Sequence, residues 1–132
     1  MPERRAARRF ACDANVELEG PRGDRLLGRA IDISMGGIGV QLGAAVLEML
    51  SLTPLGGVLE PGTPEVRVRI HFREDGPADV LTLRGVPRHV RRLSREHYRL
   101  GAQLAFENPA QRQALQAWVD RLQGSDAAGR GS

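Results

Sequence analysis

With 132 residues, the chain suits one domain and can bury a core without a disulfide or metal staple. Its net charge is +3 and all 19 basic residues are Arg, so the surface offers planar forks suited to phosphate and to stacking, while so modest a charge points only weakly to an anionic partner. The single Cys12 excludes an intrachain disulfide and fits a reducing, cytoplasmic compartment, and no apolar run is long enough for a transmembrane helix or a signal core.

The elements follow from hydrophobic period. Arg4, Arg5, Arg8 and Arg9 crowd the N-terminus. From Phe10 to Leu18, Phe10, Cys12, Ala14, Val16 and Leu18 alternate with polar residues, which predicts a half-buried strand. "EGPRGD" marks a turn, and Leu26 to Ser34 reads as a second strand with Ile31 and Ile33 on one face and Asp32 and Ser34 side by side on the other. "MGG" interrupts it before Ile38, Val40 and Leu42 resume the alternation. Ala44 to Leu52 suits a short helix, and "TPLGG" and "EPGTPE" are loop text. Val66, Val68, Ile70 and Phe72 form the cleanest strand, "EDGPAD" turns the chain, and Val80 to Val90 is a strand whose Gly85 and Pro87 predict a bulge or an edge. "SREH" is a further turn, and Leu100, Ala102, Leu104 and Phe106 give a last strand.

At Asn108-Pro109 the period changes. Asn is a good N-cap, Pro suits the first helical position, and Leu115, Trp118, Val119 and Leu122 fall on one helical face. Gly124 is the predicted stop, with a disordered tail over 124–132. About six strands with short connections predict antiparallel neighbours, and a sheet with one apolar face tends to close on itself, the helix covering an open end.

Two stretches carry chemistry. Asp32 and Ser34 offer a carboxylate and a hydroxyl, and the following glycines, Gly37 among them, admit positive φ and close backbone approach. Such a corner suits a guanine edge, whose N1 and N2 donors a carboxylate accepts; alone, it reads as readily as a plain turn. Arg5 and Arg9, with Arg4 before them, lead into the first strand. Alone they are a solvated basic tail; above the Asp-Ser-Gly corner their forks can take phosphates or guanine N7 and O6.

R-x-x-x-R over Arg5 to Arg9, followed by D-x-S-x-x-G over Asp32 to Gly37, resembles the PilZ domain family. "VRVRIHF" resembles the family's middle strand, and "YRLGAQLAF" with "NPAQRQALQAWV" its last strand and C-terminal helix. The resemblance implies a six-stranded antiparallel β-barrel with a C-terminal amphipathic helix over 10–123, preceded by a mobile Arg-rich segment over 1–9 that wraps over ligand. It implies binding of cyclic di-GMP, with no other cofactor. Arg5 and Arg9 would grip phosphates and guanine, Asp32 and Ser34 would hold a guanine edge, and Gly37 would let the backbone approach. Arg4 stands where the family associates an arginine with a stacked pair of ligands. Arg8 also permits an Arg4–Arg8 register. The output would act on an unidentified downstream protein in motility, biofilm or exopolysaccharide control.

The arginines at 84, 88, 91, 92, 95 and 99 read as a solvated basic strand pair, one of which could stack on a ligand base. His71, His89 and His97 lack metal-ligand spacing, Cys12 and Trp118 sit at core positions, and no acid, base and nucleophile converge, so catalysis is not expected. A ligand-independent interaction module of the same fold is the alternative. A barrel for single-stranded nucleic acid ranks below it, because such sites interleave aromatics and this chain is only 4% aromatic.

Overall fold

The computed structural model describes residues 8–50, 57–58, 63–72 and 80–131. In chain order its elements are β1 (Phe10–Glu19), β2 (Arg25–Ile33), β3 (Gly37–Gly43), α1 (Ala45–Met49), β4 (Gly57–Val58), β5 (Val66–His71), β6 (Val80–Arg92), β7 (His97–Ala105) and α2 (Pro109–Gly131). All strand pairs are antiparallel, in the order β6-β5-β1-β2-β3-β7, and β7 pairs back onto β6, which closes a six-stranded barrel. β6 closes it by its length: Val80 to Gly85 pairs with β5, and Arg84 to Arg92 pairs with β7. The two residues of β4, in what reads from sequence as loop, add to β6 at Val90 and His89.

Alternation sets what faces inward. Val16, Leu18, Val40, Leu42, Val66, Val68, Ile70, Leu83 and Leu100 are each at most 2% exposed, so branched aliphatics fill the barrel, as the low aromatic content requires. The β1–β2 turn is closed by Gly23 N–H donating to Gly20 O at 3.0 Å, and Gly23 has φ 86°, a left-handed value that favours glycine. The turns over 53–56 and 74–79 lie outside the described residues.

Three register shifts break the alternation: between Ala11 and Ala14 on β1, between Ala30 and Asp32 on β2, and between Pro87 and His89 on β6. The third resolves the expectation of a bulge or an edge at Gly85 and Pro87: it is a bulge, in a strand paired on both sides. The second changes which residues of β2 point in, since Ala30 and Ile33 are fully buried while Ile31 is only half-buried.

The helix α2 begins as its sequence predicts. Gln111 N–H donates to Asn108 Oδ1 at 3.0 Å, and Glu107 N–H donates to Gln111 Oε1 at 2.7 Å, a reciprocal cap. Gln111 Nε2 also donates to Thr82 O at 3.0 Å, which ties the first turn to β6. Leu115, Trp118 and Val119 are buried in the same core cluster as the barrel residues, and the Trp118 ring stacks on Phe72 with centroids 4.5 Å apart. The backbone stays helical past the expected stop at Gly124 to Gly131. A glycine inside a helix costs about 1 kcal/mol relative to alanine and does not end it, and no proline follows.

Candidate ligand-binding site

The bulge on β2 aims Asp32 outward, beside the entry to β1. There Arg9, the residue before β1, donates from Nη1 to Asp32 Oδ1 in a close ion pair. A second arginine meets the same carboxylate: Arg99 of β7 donates from Nη2 to Oδ2 at 2.9 Å and to Oδ1 at 3.1 Å. The Arg9 side chain is 45% exposed, Asp32 22% and Arg99 only 12%, so the carboxylate lies between an open fork and a covered one.

Beneath these groups the wall of the barrel is bare. The outward positions of β3 include Gly37 and Gly39, and Gly101 of β7 pairs with Gly39. A Cβ on Gly37 would stand 3.1 Å from Arg9 Nη2, and one on Gly39 would stand 2.5 Å from Arg99 Nη2 and 2.7 Å from Asp32 Oδ2. A Cβ on Gly101 would stand 2.3 Å from both Cε1 and Nε2 of His89. Thus three planar groups, Arg9, Arg99 and His89, each lie over one glycine. These glycines serve close approach: among the described residues only Gly23 has positive φ, so the left-handed geometry expected near Gly37 does not occur.

Burial and charge act together on His89. Its pKa lies below the usual 6.5, chiefly through desolvation and then through the positive charges of Arg99, Arg9 and Arg91, with Asp32 opposing them. The ring is therefore neutral at neutral pH. Cys12 of β1, the strand paired with that of Asp32, is pushed up to about 12 by burial and then by the Asp32 and Asp13 carboxylates, and it donates to Ala30 O at 3.5 Å, so it is a thiol packed in the wall.

Ser34 departs from expectation. It does not stand beside Asp32 on an open face, because β2 ends at Ile33 and Ser34 begins the turn to β3. It is 2% exposed, its Oγ accepts from Gly36 N–H and Gly37 N–H, both at 3.1 Å, and its own N–H donates to Gly37 O at 2.8 Å. Ser34 thereby folds the β2–β3 turn that carries Gly37 under Arg9, and Leu104 N–H docks that turn on β7 through Gly36 O at 3.1 Å.

Of the residues singled out from sequence, Arg9, Asp32 and Gly37 meet at one place, Ser34 shapes the turn between them, and Arg4 and Arg5 lie outside the described residues. Arg8 sits with its guanidinium 5.0 Å from the Phe10 ring centroid. Arg99 and His89 were not distinguished from the basic strand pair around them. Their neighbours do read as solvated: Arg88 Nε donates to Gln103 Oε1 at 2.9 Å, and Arg92 binds the backbone carbonyls of Ser94 and Arg95. Among the described residues no group of His, Cys, Asp and Glu is placed to hold a metal ion, and no helix is long and apolar enough to cross a membrane.

Comparison with known proteins agrees with this architecture. A search of curated protein sequences gives no match. Among solved structures, the PilZ domain of YcgR from Escherichia coli, with c-di-GMP, superposes with a TM-score of 0.65 at 14% identity, covering 98% of each chain. The Bacillus subtilis inhibitor of motility MotI/DgrA superposes at 0.63 with 19% identity, over 92% of this chain and 52% of that one. The K. pneumonia MrkH–c-di-GMP complex gives 0.62 and 19%, over 96% and 54%. The chain thus spans about half the length of MotI and MrkH and nearly all of the isolated YcgR domain. At these identities the likeness is one of fold. The family model for the PilZ domain matches residues 3–121, nearly the whole length and both arginine and Asp-Ser-Gly motifs, and the chain is a member of the PilZ domain family.

Proposed function

We propose that this chain is a cyclic di-GMP receptor whose ligand lies on the outer wall of the barrel at Arg9, Asp32 and Gly37. The observation that carries the reading is the meeting of Arg9 and Asp32 over Gly37: a fork for phosphate or guanine, a carboxylate for the guanine N1 and N2 donors, and bare backbone beneath. Solved relatives of the same fold, the YcgR PilZ domain and MrkH, are described with c-di-GMP bound. The described groups of the site are arginine donors and a carboxylate acceptor, a set suited to recognition.

In this reading the segment over 1–9 wraps over the ligand, Arg5 adds a second fork, and Arg4 admits a stacked pair of ligands. Ser34 serves mainly by holding the turn, since a direct contact to guanine would require its hydroxyl to give up bonds to Gly36 and Gly37. The barrel and α2 carry the bound state to a downstream protein that controls motility, biofilm or exopolysaccharide. Isothermal titration with cyclic di-GMP tests the reading. Arg9→Ala should remove charge-assisted contacts worth about 1.5–3 kcal/mol, a roughly ten- to hundredfold loss of affinity. A stoichiometry near two would support the stacked pair. Absence of saturable heat with the intact chain would leave the ligand-independent interaction module as the better account.

A further inference from the structure

The cross-strand register extends the site beyond the two motifs. Asp32 pairs with Gly39, Gly39 with Gly101, and Gly101 with His89, so one row crosses β2, β3, β7 and β6. Strands lie about 4.8 Å apart, so the row runs roughly 14 Å, more than a single base edge needs. Its ends carry functional groups and its two middle positions carry no side chain. Into that gap Arg99 reaches from the next outward position of β7 and lays its guanidinium on Gly39.

From this geometry we infer that the ligand surface continues from Asp32 across the Gly39–Gly101 floor to His89, and that Arg99 is a ligand-binding residue which holds Asp32 in the empty site and turns its fork onto the ligand in the filled one. The inference rests on the cyclic di-GMP reading of the site. Both contacts of Arg99 to Asp32 run through Nη2 and span both carboxylate oxygens, the place a guanine N1 and N2 edge must take. Entry of guanine therefore exchanges one donor pair for another at Asp32. The released guanidinium then faces a ligand with two phosphates and exposed guanine N7 and O6 atoms, acceptors that a fork matches better than an ammonium does. The flat ring follows the glycine floor, and the uncharged His89 ring at its far end offers a face for stacking. Among the described residues Arg9, Arg91 and Arg99 surround this region with positive charge, against the one carboxylate of Asp32.

Calorimetric titration of the intact chain with cyclic di-GMP decides it, with far-UV circular dichroism to establish that each variant is folded. Arg99→Ala should weaken binding at least tenfold, and Arg99→Lys should recover only part of the loss, because charge returns without the fork. The double change His89→Ala with Gly101→Ala is a second arm. The new Cβ takes room vacated by the ring, so the wall is kept while the floor is raised, and binding should again fall at least tenfold. Wild-type chain that fails to bind overturns this inference together with the receptor reading. Wild-type chain that binds, with Arg99→Ala equal to it or tighter, overturns the inference alone and makes Arg99 a mere occupant of the empty site. Undiminished binding by the double variant overturns the extension to His89.

Discussion

His89 shows how one residue records its surroundings. Its ring is partly withdrawn from water over Gly101 and looks toward Arg99, Arg9 and Arg91, with Asp32 the one carboxylate among the described residues that acts on it. The protonated form is therefore less favoured in the folded chain than in the unfolded one. The sign of the linkage follows. Above the ordinary histidine value of 6.5 neither state holds the proton, and His89 contributes nothing. As pH falls through 6.5 the unfolded chain gains a proton that the fold resists, so stability declines, and the loss is complete only below the depressed folded value. Urea midpoints measured from pH 7.5 to 5.5 should fall further for the wild type than for His89→Gln. Parallel curves would mean that the ring does not sense the arginines. None of this is legible in "PRHVRR", where His89 is one polar residue among arginines. Its partner Gly101 arrives only through the β6–β7 register, and Arg99 meets Asp32 from 67 residues away.

At the scale of elements, the strand periods were legible, as was the bulge on β6, and the bulges on β1 and β2 were not. Alternation placed Val16, Leu18, Val68, Ile70, Leu100 and Leu104 inside, and all are buried. Strict alternation, however, puts Ala30, Asp32 and Ser34 on one face; the inserted residue separates Ala30 from Asp32, and the end of β2 at Ile33 takes Ser34 into the turn. A bulge adds one residue without altering composition, so a window of hydrophobic and polar residues cannot reveal it; Pro87 disclosed the one on β6 because proline lacks the N–H a ladder needs. With Ser34 buried, its hydroxyl is the partner of two backbone N–H groups, that of Gly37 buried and that of Gly36 part-buried. Ser34→Ala would leave them unsatisfied, at a cost of about 1–3 kcal/mol. A urea midpoint lower by on the order of 1 M is expected. A variant as stable as the wild type would show that the turn stands without the hydroxyl and would return Ser34 to a direct role at the ligand.

For the whole molecule, the question is whether α2 is part of the barrel's stability or an appendage to it. The barrel closes through β6 and β7, so hydrogen bonding alone would complete the wall. Closure does not fill the interior, and a chain with three Phe, one Tyr and one Trp has few large side chains for that purpose. The helix supplies the Trp: Trp118 is 7% exposed, lies on Phe72 just beyond β5, and is flanked by buried Leu115 and Val119 in one cluster with the strand residues. Because that cluster is continuous, the helix cannot leave without uncovering the barrel's apolar end. Trp118→Ala should therefore destabilise the entire domain by about 3–5 kcal/mol, much of the stability a domain of this size commands. Far-UV circular dichroism in urea should show one transition at a lower midpoint, with helix and strand signals lost together. Two transitions, the later one at the wild-type midpoint, would make the helix an appendage. The family likeness would then reside in the six strands, and α2 would be free to move when the wall at Arg9, Asp32 and Arg99 is occupied.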